Sequence, residues 1–557
     1  MPEYETLKQQ YDKWVEASSG WMKEDLQSLR TMPFEAFKEE LFERFSVDAE
    51  FGTGGLRSKI RAGTNGINDF WIKRICKALR MDSKKVVIAY DTRKCSEEFA
   101  LVAANTLSAG QCKIFLFDQP VPTPMLSFAV KFLECDTGIV ITASHNPKTY
   151  NGFKLYDENG VQYIPDKIKR LNDQINKFSL LEKDNKPSDS QMIEKVSEDV
   201  YEAYFSKVIG DLEDLKSEQI GKREKIQVIY TPLHGTGARF VPRIMTHFGI
   251  DVLLVSKQMT PDSEFSTVNV PNPEDPKAFQ LSLNKAKEMV LKPQALIATD
   301  PDADRLGVFL EDNGEYRSLN GNELGLLFTD FIIRKKGVKD YGNRWAILKT
   351  IVTTDAVKPM ARDYNLRLYE TLTGFKYLGN KSVELKSQAI DTLFSFEESF
   401  GYLYGDHAGD KDACSTAGLL ALMLLEAGGG TAIFERLDKI HDKYGFYLER
   451  LLSHTAEGLN GMKRLKNFMQ VLRIHRPVMH WEDGVIIKDY LEESGELKAD
   501  VVEFLFQTGD RMIFRPSGTE PKIKAYINVN ALDKKSAVNR IEWMQNGVKE
   551  LFDSNLN

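Results

Sequence analysis

Three aspartates stand at alternate positions in the sequence DPDADR, residues 300–305 (the acidic loop), directly after an apolar run at residues 295–298. Carboxylate oxygens are the ligands that Mg²⁺ takes, and three adjacent carboxylates repel one another unless a cation neutralises them. A calcium loop would share the aspartate spacing and Glu311, but it needs glycine at its sixth position, where this chain has Arg305. A solvated acidic turn is the other alternative, and a metal site is favoured over it. The predicted metal ligands are Asp300, Asp302 and Asp304.

A serine follows another apolar run, in the sequence TASHNP at residues 142–147 (the serine loop). If the run at residues 138–141 is a strand of a parallel sheet, Ser144 lies at the carboxyl end of that strand, where ligands bind. A serine hydrolase needs glycine on both sides of its nucleophile, and this loop has none. The alternative is a plain strand-end turn, so the loop alone indicates only a candidate nucleophile.

Two further loops carry groups suited to a phosphorylated sugar. The sequence RPSGTEPK, residues 515–522 (the arginine loop), holds one guanidinium, two hydroxyls and a glycine, and such donors bind phosphate. The sequence FSFEESFGY, residues 394–402 (the glutamate loop), holds two glutamates and a serine that can accept hydrogen bonds from sugar hydroxyls. A Pro/Gly-rich hairpin and a surface acidic turn are the alternatives, although the aromatic residues around the glutamates disfavour full exposure.

Glycine-rich loops are weaker signals. The sequence GTGGLR, residues 52–57, lets backbone N–H groups approach an anion while Arg57 adds positive charge. The sequence HGTG, residues 234–237, is interpreted as a structural turn.

Composition excludes several classes of protein. The 557 residues include 74 basic and 81 acidic side chains, a net charge of −7, which rules out a basic nucleic-acid-binding surface spread over the whole chain. The longest apolar run, residues 417–425, is too short to span a membrane. The five cysteines lack the spacing of a disulfide framework or a zinc site, and the start MPEYE is unlike a secretory signal. We therefore expect a cytoplasmic protein with neither nucleic-acid nor membrane partners.

Apolar runs alternate with helical stretches along most of the chain, which predicts βαβ units and a mainly parallel sheet. Residues 3–47 have a helical pattern, and residues 533–552 form a helical tail. The predicted strands form three groups and a distinct last group: 85–90, 112–117 and 138–142; 226–230, 252–255 and 295–298; 345–351 and 392–396; and 501–506, 511–514 and 522–530. The predicted domains are three α/β domains at residues 1–205, 206–322 and 323–450 and a smaller α+β domain at residues 451–557.

In this order and combination, the four loops resemble those of the α-D-phosphohexomutase superfamily, which contains phosphoglucomutases and phosphomannomutases. The serine loop looks like the phosphoserine loop of that superfamily, and the acidic loop looks like its metal loop. The glutamate loop looks like its sugar-binding loop, and the arginine loop looks like its phosphate-binding loop. The resemblance covers nearly the whole chain. It implies an α/β fold of four domains, three related mixed α/β sandwich domains and a C-terminal α+β domain, around a central active-site cleft.

The resemblance also implies a role for each site residue. Ser144 would be phosphorylated in the resting enzyme, pass its phosphoryl group to the substrate and later take back the other phosphate. One Mg²⁺ would be held by a phosphate oxygen on Ser144 and by Asp300, Asp302 and Asp304. Further catalytic groups would be Arg57, His145, Lys154 and Lys411. Substrate-binding groups would be Arg305, Thr373, Gly374, Glu397, Ser399, Arg515, Ser517, Gly518 and Thr519.

Details of the motifs favour one branch of the superfamily. Pro301, the FG after Ser399 and the sequence TGFKYLG at residues 373–379 look more like the bacterial phosphoglucomutases and the phosphopentomutase-like enzymes. The expected reaction interconverts glucose 1-phosphate and glucose 6-phosphate, with glucose 1,6-bisphosphate as intermediate and activator. The alternatives left open are a phosphopentomutase acting on ribose or deoxyribose phosphate, a phosphomannomutase, and a phosphosugar-binding protein without turnover. The choice between a monomer and a weak dimer also stays open.

Overall fold

The computed structural model describes residues 2–52, 54–182, 186–216, 225–338, 344–456, 460–474, 485–517 and 522–556. The chain divides into two compact units. The first unit consists of Met1–Leu319, Ser382–Glu384 and Phe400–Gly430, and the second of Asn320–Lys381, Leu385–Ser399 and Thr431–Asn557. Among the described residues no single helix is long and apolar enough to cross a membrane, and the helices Ala413–Ala427 and Gly430–Tyr444 meet the length and composition criteria only as a bent pair.

The first unit begins with a cluster of helices, α1 (Pro2–Ala17), α2 (Gly20–Leu29) and α3 (Phe34–Phe45). The sequence predicted helical structure here without its breaks. One break falls at Gly20, whose φ of +53° suits glycine, and the next precedes α3 at Pro33. The apolar faces of the three helices pack against one another around Tyr11, Leu26 and Leu41.

A seven-stranded mixed sheet follows, and its parallel part carries the serine loop. The strands are β1 (Phe51–Gly52), β2 (Gly55–Lys59), β3 (Lys85–Tyr90), β4 (Lys113–Leu116), β5 (Thr137–Ile141), β6 (Tyr150–Asp157) and β7 (Ile193–Lys195). Their order is β1-β2-β6-β5-β3-β4-β7. The accompanying helices are α4 (Asp69–Leu79), α5 (Ser96–Ser108), α6 (Thr123–Phe132), α7 (Pro165–Ile175) and α8 (Glu198–Glu213). Every residue of β5 is buried, as expected for a strand covered on both faces.

The second sheet of this unit carries the acidic loop. Its strands are β8 (Gln227–Thr231), β9 (Asp251–Leu254), β10 (Ala295–Thr299), β11 (Leu306–Asp312) and β12 (Glu315–Leu319), with helices α9 (Val241–His247) and α10 (Gln280–Glu288). The strand order is β12-β11-β10-β8-β9, with β10, β8 and β9 parallel. Strand β10 is buried throughout and lies between β8 and the antiparallel β11. The acidic loop therefore forms the turn between two paired central strands.

The second unit begins with a parallel sheet and its helices. Its elements are α11 (Gly321–Lys336), β13 (Trp345–Thr350), α12 (Val357–Asp363), β14 (Arg367–Thr371), α13 (Phe375–Ser387) and β15 (Asp391–Glu397). Strand β13 pairs in parallel with both β14 and β15. The chain then contributes β16 (Gly401–Leu403) and the buried helix α14 (Ala413–Ala427) to the first unit.

The last part of the second unit is an antiparallel sheet backed by helices. Its elements are α15 (Gly430–Tyr444), β17 (Phe446–Thr455), α16 (Gly461–Ile474), β18 (Ile486–Asp489), β19 (Val502–Leu505), β20 (Arg511–Pro516), β21 (Lys522–Ala531) and α17 (Lys534–Leu556). The strand order is β17-β21-β20-β19-β18. Helices α16 and α17 supply Phe468, Ile541 and Met544 to the core of this part.

The predicted strands are confirmed to within two residues at either end, but the two sheets of the first unit are mixed rather than mainly parallel. The sequence analysis missed several strands, β6 and β17 among them. Strand β6 is buried almost throughout, yet it contains Asn151 and Lys154, so it shows neither an apolar run nor a regular alternation. The four predicted domains and the three boundaries between them stay predictions.

Candidate active site

The serine loop is held in shape by a buried carboxylate. Directly after β5, Thr142 Oγ1 donates to Asp91 Oδ2 at 2.5 Å and accepts the Ser144 N–H at 2.8 Å. Ser144 has a φ of +52°, a left-handed conformation that costs a non-glycine residue on the order of 1–3 kcal/mol and persists only where the surroundings enforce it. The loop is therefore a strained turn that fixes the position of the Ser144 hydroxyl.

Arg93 fastens the same loop through its main-chain carbonyls. Its Nη2 donates to the carbonyl oxygens of Ser144 and Asn146, and its Nη1 donates to Pro147 O at 3.0 Å. The sequence analysis missed Asp91 and Arg93. Both belong to the sequence DTR directly after the predicted strand 85–90, and charged residues at the carboxyl end of a buried strand are the signal that could have found them.

The acidic loop folds back on its own backbone. Asp300 Oδ1 accepts the N–H groups of Asp304 at 3.1 Å and Arg305 at 3.0 Å, and Ala303 takes a φ of +49°. The three aspartate side chains are buried, and one carboxylate oxygen from each lies within 4.8 Å of the others. The three aspartates, at alternate positions in the sequence, thus bring their carboxylates together in the folded loop.

The two predicted motifs meet. Ser144 Oγ donates to Asp300 Oδ2 at 2.6 Å, although the two residues are 156 positions apart in the sequence. Strands β5 and β10 belong to different sheets of the first unit, so only the folded unit creates this contact. A candidate nucleophile and a candidate metal site therefore share one location.

Two predicted lysines neutralise part of the acidic charge. Lys154 Nζ, on β6, lies 2.9 Å from Asp302 Oδ2 and 3.7 Å from Asp304 Oδ2. Lys411 Nζ lies 2.8 Å from Asp304 Oδ2. Two ammonium groups thus face three carboxylates, and Lys154, Lys411, Ser144 and the aspartates form one cluster.

The donor set of this cluster fits a divalent cation. Among the described residues, Asp302 Oδ1 and Asp304 Oδ1 are buried and have no hydrogen-bond partner. Burial, together with repulsion from Asp304 and Asp302, raises the pKa of Asp300 well above its usual range. Burial works in the same direction on Asp302, but Lys154, a hydrogen bond with Asp300 and Lys411 together outweigh burial and lower the pKa of that carboxyl. Unpartnered carboxylate oxygens at close quarters are the ligands that Mg²⁺ prefers.

Thr123 completes the support of Asp302 and was also missed from the sequence. At the start of α6, its Oγ1 donates to Asp302 Oδ2 at 2.9 Å and its N–H donates to Asp302 O at 2.9 Å. A single threonine at a helix start is too common to stand out in a sequence.

The remaining predicted groups of the first unit belong to or contact the serine and acidic loops. His145 Nδ1 lies 3.2 Å from Ser144 Oγ, and burial, with the nearby arginines, holds the pKa of His145 well below its usual range. The imidazole is therefore neutral near pH 7. Arg57 Nη1 donates to Asn146 Oδ1 at 3.0 Å, and Arg305 Nη1 donates to a glutamate, Glu274.

The turn that carries Lys411 is anchored on both sides. Asp410 accepts the Lys411 N–H at 2.8 Å and the Tyr156 hydroxyl at 2.8 Å. Asp412 accepts the N–H groups of Cys414 at 2.8 Å and Ser415 at 3.1 Å, and so caps helix α14. The lysine is fixed between two carboxylates that each have structural partners.

Predicted sugar-binding groups in the second unit are joined by one hydrogen bond. Glu397 Oε1, at the end of β15, accepts the Gly374 N–H at 2.7 Å. Gly374 has a φ of +117°, which favours glycine, and precedes helix α13. Thr373 and Ser399 are half-buried. The glutamate loop and residues 373–374 therefore meet within this unit.

The arginine loop is described only at its two ends. Arg515 is the residue before the last of β20, and the Ser517 N–H donates to Lys522 O at 2.7 Å. Burial raises the pKa of Tyr526, the nearby Glu398 carboxylate adds to the rise, and a hydrogen bond with Arg515 opposes it. Tyr526 is thus a common neighbour of the glutamate and arginine loops. Predicted residues Gly518 and Thr519 lie outside the described residues.

Comparison with known proteins identifies the class. Models of the phosphoglucomutase/phosphomannomutase alpha/beta/alpha domains I, II and III match residues 48–181, 202–314 and 320–444. A phosphoglucomutase of Staphylococcus epidermidis is 34% identical over 547 residues, covering 93% of this chain and 96% of its own length. The chain belongs to the phosphoglucomutase/phosphomannomutase family.

Solved structures share its fold. A putative phosphomannomutase from Thermus thermophilus matches with a TM-score of 0.67 and 24% identity, over 90% of this chain and 99% of that one. The phosphoglucomutase parafusin from Paramecium matches with a TM-score of 0.68 and 19% identity, over 91% of this chain and 95% of that one. The predicted superfamily and fold class are confirmed: three α/β/α domains are followed by a further sheet-containing C-terminal part.

Proposed function

We propose that this enzyme is a phosphoglucomutase that interconverts glucose 1-phosphate and glucose 6-phosphate through phosphorylated Ser144 and glucose 1,6-bisphosphate. The contact that carries the proposal is the 2.6 Å hydrogen bond from Ser144 Oγ to Asp300 Oδ2, which sets the nucleophile beside the carboxylate cluster. The name of the Staphylococcus epidermidis relative, a phosphoglucomutase, supports the choice of sugar.

The chemistry would proceed in two balanced transfers. In the first, the bond between phosphorus and Ser144 Oγ breaks, a bond to a sugar hydroxyl forms, and the proton of that hydroxyl passes to a base. His145, 3.2 Å from Ser144 Oγ, would exchange a proton with the freed serine oxygen, and Lys411, beside Asp304, would exchange the proton of the sugar hydroxyl. The second transfer reverses these steps with the other phosphate of the bisphosphorylated sugar.

One Mg²⁺, held by Asp300, Asp302 and Asp304, would neutralise the charge that develops on the transferring phosphoryl group. Lys154 and Arg57 would add positive charge beside the same oxygens. The buried position of Lys154, 7% exposed in its side chain, keeps this charge from being screened by water.

Sugar and phosphate recognition falls to the loops of the second unit. The carboxylate of Glu397 would accept hydrogen bonds from sugar hydroxyls together with Thr373, Gly374 and Ser399, because its position is fixed by the Gly374 N–H. The arginine loop would bind the phosphate that is not being transferred, through Arg515, Ser517, Gly518 and Thr519. Arg305 would orient the substrate beside the acidic loop.

Mass spectrometry after incubation with glucose 1,6-bisphosphate tests the proposal. The wild-type chain should gain the mass of one phosphoryl group at Ser144 and turn over glucose 1-phosphate in the presence of Mg²⁺. A Ser144→Ala variant should gain no phosphate and lose activity by at least about 1,000-fold, because the covalent route is closed. Ser188→Ala, at an exposed serine, is the matched control and should behave like wild type. Full activity of Ser144→Ala would refute the assignment.

A panel of glucose, mannose, ribose and deoxyribose 1-phosphates, compared by kcat/KM, tests the sugar. Glucose 1-phosphate should give the highest value, and a higher value for a pentose phosphate would identify a phosphopentomutase instead. Activation by glucose 1,6-bisphosphate, a single Mg²⁺ per chain, the oligomeric state and the cytoplasmic location stay predictions.

A further inference from the structure

The sequence HGTG, residues 234–237, does more than turn the chain. The loop contacts Pro301, the residue between the first two aspartates of the acidic loop. Thr236 donates twice to Pro301 O, from its N–H at 2.8 Å and from its Oγ1 at 2.9 Å. We call residues 234–237 the clasp.

Glycine at position 235 permits this contact. A Cβ on Gly235 would lie 2.5 Å from Pro301 Cα and 2.7 Å from Pro301 O, closer than such atoms approach in proteins. The backbone of Gly235, with φ −93° and ψ −172°, is open to alanine, so only the close approach requires glycine. The two loops are therefore packed backbone against backbone.

The clasp is itself held rigidly. His234 is buried and uses both ring nitrogens, with Nδ1 2.9 Å from Thr260 O and Nε2 2.8 Å from Thr267 Oγ1. Leu233 and His234 have φ of +48° and +65°, a strained pair that these hydrogen bonds enforce. The Gly235 N–H closes the turn by donating to Pro232 O at 2.8 Å.

Holding the Pro301 carbonyl fixes the peptide plane that joins Pro301 to Asp302. The far side of the acidic loop is held by Thr123, which donates to Asp302 O and Oδ2, each at 2.9 Å. Asp302 is thus positioned from two directions, while its Oδ1 is buried without a hydrogen-bond partner among the described residues. Because the main chain on both sides of Asp302 is held by hydrogen bonds, the position of Asp302 Oδ1 is fixed.

We infer that Thr236 is a positioning residue for the metal site: its hydroxyl, through Pro301 O, sets how tightly the acidic loop binds a divalent cation. The inference rests on the metal site of the proposed function. Thr236 would not touch the cation or the substrate, so its loss should weaken cation binding in a chain that is still folded.

Mn²⁺ binding, measured by electron paramagnetic resonance on the full-length chain without substrate, tests this inference. Thr236→Ala, which removes the hydroxyl and keeps the N–H, should raise the Mn²⁺ Kd by about five- to ten-fold, as expected for one lost hydrogen bond to a buried carbonyl. Thr236→Ser, which keeps the hydroxyl, should bind within two-fold of wild type. Thr246→Ala, at an exposed threonine of α9, is the matched control and should not change the Kd.

Circular dichroism shows whether each variant is folded. A second variant keeps the inference testable if the first one unfolds. Should Thr236→Ala unfold, Thr236→Val fills the same volume without the hydroxyl and should show the same weakening. Equal Mn²⁺ affinity in wild type, Thr236→Ser and the folded hydroxyl-free variant would overturn the inference and leave the proposed function intact. The expected ranking in a chain without mutase activity would uphold the inference and refute the proposed function. Wild-type chain that binds no Mn²⁺ would refute both.

Discussion

A buried imidazole, that of His407, supports the turn that carries Lys411. His407 Nε2 lies 2.7 Å from Asp412 Oδ2, and Nδ1 lies 3.7 Å from Asp211 Oδ2. Gly405, with φ +91°, leaves the space for this pair, since a Cβ there would lie 2.5 Å from Asp211 Oδ2. Burial opposes a charge on His407, but its carboxylate partners outweigh burial and raise the pKa above the ordinary 6.5. The imidazole therefore links Asp211, on helix α8, to Asp412, the residue after the lysine.

The stability of the chain should depend on pH through His407. Because its pKa is raised on folding, its contribution is complete below the unfolded value of about 6.5 and is lost as pH rises through the folded value. His407→Gln should cost about 2–3 kcal/mol at pH 6 and clearly less at pH 9, measured by thermal unfolding at both pH values. His247→Gln, at an exposed histidine, is the control. An equal loss at both pH values would contradict the prediction.

At the scale of elements, strand ends explain where the site lies. The serine loop follows β5, the acidic loop follows β10 and the sequence DTR follows β3, so three carboxyl ends supply the polar groups of the first unit. Neighbouring parallel strands bring their carboxyl ends to one sheet edge, which is why β3 can support the loop after β5. The support of the serine loop therefore depends on the strand order of the sheet as well as on the identity of Asp91 and Arg93.

Replacing Arg93 should impair catalysis while the chain stays folded. Arg93→Lys keeps the charge but cannot span the carbonyls of Ser144, Asn146 and Pro147, because lysine lacks the guanidinium fork. We expect kcat to fall by about 10- to 100-fold with a smaller change in KM, since the nucleophile loses its fixed position. Steady-state kinetics measure both constants, with the neighbouring exposed Lys94→Ala as control. Unchanged kcat would show that the serine loop holds its shape without Arg93.

The sequence indicated the candidate catalytic and metal-binding residues better than the residues that hold them in position. Ser144 and the three aspartates follow apolar runs, and that local pattern was sufficient to place them. Thr123 and Thr236 act only through contacts with the acidic loop, which lies far away along the chain, so no local pattern marks them. Strand β6 was missed for a related reason. Its buried Lys154 interrupts the apolar pattern of the strand, and only the contact of Lys154 with Asp302 explains a lysine at that position.

At the scale of the whole chain, the second unit is tied together by buried charge. Lys349, fully buried, lies 3.0 Å from Asp355 Oδ1 and 2.7 Å from Glu370 Oε1. Arg511, on the antiparallel sheet, donates to both oxygens of Asp355 at 3.0 Å and also pairs with Glu503. Asp355 therefore connects the parallel and the antiparallel sheets of this unit.

Removing Asp355 should destabilise the second unit strongly. Asp355→Ala leaves Lys349 and Arg511 with less counter-charge in a buried place, which costs about 3–5 kcal/mol. Burial opposes ionisation of Asp355, but Lys349 and Arg511 lower its pKa, so its contribution is present above the unfolded pKa of about 3.9 and is lost as pH falls through the folded value. Thermal unfolding at pH 7 and pH 3 measures this. Asp442→Ala, at an exposed aspartate, is the control, and equal midpoints for the two variants would disprove the role.

The hydrogen bond between Ser144 and Asp300 has a consequence for the proposed covalent cycle. A serine that carries a phosphoryl group has no hydroxyl proton, so the 2.6 Å bond exists only in the unmodified chain. In the phosphorylated chain two negative groups would face each other at this position, and the cation that the three aspartates would hold offsets their repulsion. In the proposed cycle, the covalent state of Ser144 would thus set how strongly this carboxylate cluster requires a cation.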